Sequence, residues 1–307
     1  MLDESTGPDF FCIGMPKAGT QWLYESLHQC PGFWMPPIKE MHFFDKDFLE
    51  SDRRVRADTA NLRRCHEVLS GPMAGQSPVG ALRADMPNRM RDHDFAERWI
   101  RMSDNGYRLE DYHALFRSKG SGLSGDITPT YSALSEREVQ IVKSAFPRLK
   151  VILLIRDPVG RAWSSFNMYI RYQLMSKAER RMGNVIRIME EKATLEELTH
   201  FMNLHGSRQR SFPSVSYGRW VSVFGERQVH VTFFQDIVSR PAGVIEDVCT
   251  FLGVAPESPP VPARNAKEKR PRTAMGDEHK AFLNDYFRDE YRAMRALFPG
   301  KASEWVG

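Results

Sequence analysis

Apolar residues gather in four short runs along the chain, and between the runs they recur at helical spacing. The runs are Phe10–Ile13, the stretch around Gly122–Ile127, Lys150–Ile155 and Gln228–Phe234. The third is continuous and rich in β-branched residues, as expected of a parallel strand covered on both faces. Helical patterns occupy Gln21–Gln29, Glu136–Ala145, Pro158–Arg171, Val215–Phe224 and Ala242–Leu252, and a closing amphipathic helix spans Asp277–Leu297. Strands alternating with helices predict an α/β fold, a central parallel sheet with helices on both faces. Two regions break the rhythm. Residues 46–116 are rich in Arg, Asp and Met, and residues 172–214 hold a charged helical run, Lys177–Glu197, followed by the loop-like His205–Ser214. Both read as insertions that shape the acceptor side of a cleft. No repeat interrupts the chain, so residues 1–307 read as a single domain.

Composition narrows the partners. A formal charge of +4 over 307 residues is mild and does not point to nucleic acid. The longest apolar runs are far too short for a bilayer span, and the first residues are acidic and polar with no secretory signal visible. The cysteines Cys12, Cys30, Cys65 and Cys249 show neither pairing nor zinc spacing. The expectation is a cytoplasmic protein without a structural metal, with its oligomeric state left open.

The first strand run leads into Gly14-Met15-Pro16-Lys17-Ala18-Gly19-Thr20 and then into a helix. Such a strand, glycine-bearing turn and helix N-terminus form an anion cradle, because the turn's N–H groups and the helix dipole converge on one point. Nucleotide-hydrolase loops end in Gly-Lys-Ser/Thr. Here the lysine stands earlier, at Lys17, and Gly19 runs directly into Thr20. A second signal follows the third strand: Arg156-Asp157-Pro158-Val159-Gly160-Arg161-Ala162-Trp163-Ser164. Asp157 and Pro158 suit an N-cap and first helical position. Arg156 at the strand end and Ser164 on the helix suit a second phosphate beyond the loop. The plainer alternative is that Asp157 only caps the helix and Arg156 pairs with a carboxylate.

Together the two segments resemble the sulfotransferase family, whose donor is 3′-phosphoadenosine 5′-phosphosulfate (PAPS). Tyr217-x-x-Trp220-x-x-x-Phe224 before the fourth strand run, and the basic stretch Arg264–Arg272, resemble further parts of that family. The resemblance implies a P-loop-type fold with Lys17, Ala18, Gly19, Thr20, Gln21 and Trp22 around the phosphosulfate. It implies Arg156 and Ser164 at the 3′-phosphate, and Lys267, Lys269 and Arg270 in a loop covering the donor. Many cytosolic members carry a second threonine where this chain has Gln21, whose backbone N–H can still serve. A transferring sulfuryl group carries less charge than a phosphoryl group, so one cation, Lys17, aimed at the leaving oxygen replaces a metal clamp.

The acceptor's proton needs a base. Lys39-Glu40-Met41-His42-Phe43-Phe44-Asp45 resembles the segment of glycosaminoglycan and related bacterial sulfotransferases in which the glutamate is the base. An extended backbone after Pro36-Pro37 puts Glu40 and His42 on one side. Glu40 ranks first as base and His42 second, with Lys39 polarising donor or acceptor. Gly125-Asp126-Ile127-Thr128-Pro129-Thr130-Tyr131 resembles a segment of the same branch but has Ile127 where that branch has lysine, which weakens a heparan-like acceptor. Asp126 and Tyr131 are weaker acceptor contacts, and turn formation explains the segment nearly as well. Saccharide, peptide and secondary-metabolite hydroxyls, or an amine, stay open as acceptors. The alternatives are a P-loop kinase-like phosphotransferase, disfavoured by the missing Gly-Lys-Ser/Thr, and a non-catalytic nucleotide-binding protein, disfavoured by the presence of Lys17, Glu40 and His42.

Overall fold

A computed structural model of the chain describes residues 6–45, 59–60, 63, 86–255 and 271–305. Strands β1 (Phe10–Gly14), β2 (Gly125–Ile127), β3 (Lys150–Ile155) and β4 (Val229–Phe233) form one sheet. All neighbours run parallel, in the order β2-β1-β3-β4. Successive side chains of a strand point to opposite faces, yet Phe10–Ile13 and Val151–Ile155 are all wholly buried. Both faces of the sheet are therefore covered, as the unbroken apolar runs predict. The second strand is shorter than its sequence run. Leu123 bridges to Phe33 instead, and pairing with β1 begins only at Gly125 opposite Phe10.

The flanking helices are α1 (Thr20–Gln29), α2 (Met86–Asp104), α3 (Glu136–Ala145), α4 (Pro158–Tyr169), α5 (Val185–Lys192), α6 (Leu195–Asn203), α7 (Pro213–Phe224), α8 (Pro241–Leu252), α9 (Asp277–Tyr286) and α10 (Arg288–Leu297). Helix α3 starts where expected because Ser135 and Glu138 close a capping box. The charged run Lys177–Glu197 is not one helix. Gly183 and Asn184 interrupt it, and Thr194 caps α6 by accepting from Glu197 N at 3.2 Å. The expected closing helix is likewise two. It turns at Phe287, wholly buried beside Phe212, so that α9 buries His279 and Leu283 while α10 buries Tyr291 and Met294. The predicted helix Pro158–Arg171 is α-helical to Tyr169 and then widens into a π turn, Ile170–Leu174.

Among the described residues, buried apolar side chains join in one core cluster reaching from Phe10 to Trp305. Among the described residues no helix is long and apolar enough to cross a membrane. From β1 the sheet grows to β2 on one side and then to β3 on the other. The connections diverge at the carboxyl ends of β1 and β3, the place where open α/β sheets leave a ligand crevice. The Gly14–Thr20 loop leaves β1 at that point, and Arg156 leaves β3 beside it.

Candidate active site

Backbone geometry makes the first loop a tight turn. Gly14 (φ +123°) and Gly19 (φ +105°) adopt angles that L side chains rarely take, and a Cβ on Gly14 would lie 2.6 Å from Pro129 O. Lys17 is also in the left-handed region, at φ +68°. Met15 N donates to Leu154 O at 2.5 Å, tying the loop to β3, and Met15 and Ala18 are wholly buried beneath it. Helix α1 begins at Thr20 with no side-chain cap and no acidic residue in its first turn. Its N–H groups and dipole are left for an anion. The Lys17 ammonium reaches over to α4, 4.0 Å from Met168 Sδ. Gln21 is exposed and donates to Glu25, whereas Trp22 packs into the core and supports the loop from below.

The second motif meets the first directly. Arg156 Nη1 donates to Lys17 O at 3.2 Å, and its guanidinium lies over the Phe234 ring, 4.5 Å from the centroid. Asp157 does cap α4, accepting from Gly160 N at 2.6 Å and from the Tyr291 hydroxyl. Ser164 lies two turns into that helix, buried at 9% exposure. Two strand-end loops thus bring Lys17, Arg156 and the open N-terminus of α1 together, a donor set suited to phosphate and sulfate oxygens.

The Lys39–Asp45 segment is held differently from its expected extended form. Glu40 (φ +66°) and His42 (φ +56°) are both left-handed, so strand-like alternation does not place them. Anchors on either side impose the bend: Glu40 N donates to Ile127 O at 3.2 Å, and Phe43 N donates to the Tyr131 hydroxyl at 3.0 Å. Met41 and Phe43 are buried, which leaves the Glu40 side chain 25% exposed, in an ion pair with Lys39. His42 is 3% exposed; its Nδ1 lies 2.9 Å from Asp45 Oδ2 and 3.2 Å from Thr130 Oγ1. Burial disfavours its charged form, but the bond to Asp45 and the charges of Asp45, Glu40 and Asp126 prevail and raise its pKa.

Asp126 and Tyr131, the weaker candidates for acceptor contact, are both buried. Asp126 is 1% exposed and accepts from Thr128 Oγ1 (2.6 Å), Tyr131 (2.8 Å) and Tyr112 (3.0 Å). Burial raises its pKa against those three bonds. Tyr131 is wholly buried, donating to Asp126 while accepting from Phe43 N. Through the Tyr131 hydroxyl the pair braces the Lys39–Asp45 segment.

A model of the sulfotransferase family matches residues 8–258. The chain belongs to the sulfotransferase family. Its structure is similar to that of a sulfotransferase from Alicyclobacillus acidocaldarius, at 25% identity and a TM-score of 0.61, over 97% of this chain and 98% of that one. It is also similar in fold to the sulfotransferase domain from the curacin biosynthetic pathway, at 16% identity and a TM-score of 0.53, over 95% and 97% of the two chains. No match was found among curated proteins.

In this sulfotransferase Asp45 and Thr130, to which the motifs above give no role, share a hydrogen bond and flank His42. The three-residue spacing of His42 and Asp45 was the available signal. Thr130 lies 88 positions from His42 and gave none. Lys267, Lys269 and Arg270 lie outside the described residues. The segment that follows them is pinned to α4: Trp163 Nε1 donates to Thr273 O at 3.0 Å, and Thr273 N donates to Asn167 Oδ1 at 2.8 Å.

Proposed function

We propose that this single-domain sulfotransferase takes its sulfuryl group from PAPS and transfers it to an acceptor hydroxyl or amine by in-line displacement, with Glu40 as general base. The observation that carries the donor assignment is the contact between the two strand-end motifs, Arg156 Nη1 to Lys17 O at 3.2 Å, at the sheet's switch point. It supports a ligand with two anionic groups, one on the Gly14–Thr20 loop and one beside Arg156 and Ser164. PAPS supplies an activated sulfuryl group on a phosphosulfate linkage and a separate 3′-phosphate.

On this reading the N–H groups of Gly19, Thr20 and Gln21 orient the phosphosulfate. Lys17 stabilises charge as it builds on the bridging oxygen, a role that needs no metal clamp. Lys267, Lys269 and Arg270 cover the donor. Glu40 takes the acceptor proton, since its carboxylate is accessible while His42 is buried and already engaged by Asp45. Lys39, ion-paired with Glu40, polarises donor or acceptor. His42 with Asp45 fixes the bend that presents Glu40. This arrangement fits the branch with a glutamate base, and a saccharide or secondary metabolite as acceptor.

Incubation with sulfur-labelled PAPS and a panel of hydroxyl and amine acceptors, in parallel with labelled ATP, tests the reading. Labelled sulfate is expected on an acceptor with chelator present and no transfer from ATP. Transfer from ATP alone, or sulfation abolished by EDTA, contradicts it.

A further inference from the structure

The turn at Phe287 leaves a cavity of about 430 Å³ between α9 and α10. From α9 it is lined by Ala281, Asn284 and Asp285, which share one helical face at i, i+3 and i+4. The small side chain of Ala281 keeps that wall low. From α10 come Arg288, Arg292 and Arg295, again on a single face at i, i+4 and i+7, together with Tyr291. Tyr291 is buried, its hydroxyl donates to Asp157, and the Arg295 guanidinium lies over its ring, 5.7 Å from the centroid.

The lining sets three arginines against a single carboxylate, Asp285. Arg288 pairs with Asp285, and Arg292 Nη1 donates to Asp289 Oδ1 at 3.0 Å. Both pairs are exposed and join residues three apart on the chain, a kind of pair that contributes little and is given up cheaply. Arg295 Nη2 donates to Trp305 O at 2.8 Å, a neutral carbonyl that holds the side chain without answering its charge. Each guanidinium offers five N–H donors in a planar fork, the geometry that suits phosphate and sulfate oxygens. On the facing wall, the Asn284 Oδ1 is buried and has no hydrogen-bond partner among the described residues. A buried amide oxygen left unpaired is costly, and a ligand hydroxyl relieves that cost. The two walls therefore ask for different groups: an oxyanion on the α10 side and a hydroxyl on the α9 side.

We propose that the α9–α10 cavity is a second ligand site, which takes a phosphate or sulfate ester of a hydroxyl-bearing molecule, a sugar phosphate or sugar sulfate. Arg288, Arg292 and Arg295 receive the oxyanion and Asn284 accepts from a sugar hydroxyl. None of these four residues belongs to the strand-end motifs assigned to the donor, so the site stands independently of the donor assignment.

The test is calorimetric titration of the full chain at fixed ionic strength, with one equivalent of 3′-phosphoadenosine 5′-phosphate (PAP) added to fill the donor site. The probes are glucose 6-phosphate, glucose 6-sulfate, inorganic phosphate and glucose. At least one of the two esters is expected to bind saturably at one site, and the tighter of them identifies the ester class. Inorganic phosphate is expected to bind about 3–10-fold more weakly than glucose 6-phosphate, and glucose not at all. Arg292→Gln and Arg295→Gln each lower the ester's affinity by about tenfold or more, and Asn284→Ala removes the advantage of glucose 6-phosphate over inorganic phosphate. PAP affinity is unchanged in all three variants. Ester binding that survives both arginine substitutions places the probe elsewhere and overturns the site. So does the absence of saturable binding by either ester, or binding of glucose as tight as that of its esters. Should PAP itself fail to bind, the donor assignment is at fault, and the titration without PAP still decides the α9–α10 site by the same variants.

Discussion

At the scale of single residues, exposure separates the two candidate bases more sharply than chemistry does. Glu40 and His42 stand two positions apart, and either side chain is able to accept a proton. The bend at φ +66° and +56° leaves Glu40 a quarter exposed and puts His42 in a buried bond with Asp45. Glu40→Gln is therefore expected to lower kcat by roughly 10²–10⁴-fold with PAP affinity retained, and His42→Gln to lower it less. Steady-state kinetics on the first acceptor found decides the ranking; an active Glu40→Gln beside an inactive His42→Gln reverses it. Lys17, Glu40, His42 and Arg156 were all legible as candidates because each sits in a compact motif. The burial of Asp126 and Tyr131 was not, because it depends on what the rest of the chain lays over them.

At the scale of elements, the strand ends do the positioning. Lys150–Ile155 and Glu136–Ala145 could be read to the residue, since an unbroken apolar run and a Ser-x-x-Glu capping box are local signals. The left-handed turns at Glu40 and His42 are imposed by partners about 90 positions away, Ile127 and Tyr131, and no local pattern announces them. The same holds for the break at Phe287, which follows from burial against Phe212. Tyr131 braces this turn, since its hydroxyl joins Asp126 to the Lys39–Asp45 segment. Tyr131→Phe leaves Phe43 N without its acceptor and Asp126 short of a donor. A loss of about 1–3 kcal/mol is expected in urea unfolding, with a fall in kcat at nearly constant PAP affinity. Unchanged stability means that the brace is dispensable.

At the scale of the whole molecule, the His42–Asp45 pair ties stability to pH. The folded pKa of His42 is raised, so folding favours the protonated ring. Its stabilising contribution is complete below the ordinary value of 6.5 and is lost as pH climbs through the raised folded value. The Tm difference between the native chain and His42→Gln is expected to be larger at about pH 6 than at about pH 9. An equal difference at both contradicts the assigned charge.

In the proposed donor complex, two strand-end motifs hold the two anionic ends of one nucleotide. Calorimetric titration of the chain with PAP and with adenosine 5′-monophosphate, which lacks the 3′-phosphate, tests this most directly. Charge-assisted bonds at Arg156 and Ser164 predict that PAP binds about 10–150-fold tighter, with no requirement for magnesium, and that Arg156→Ala removes most of that preference. Equal affinity for the two nucleotides, or a preference that survives in Arg156→Ala, contradicts the claim.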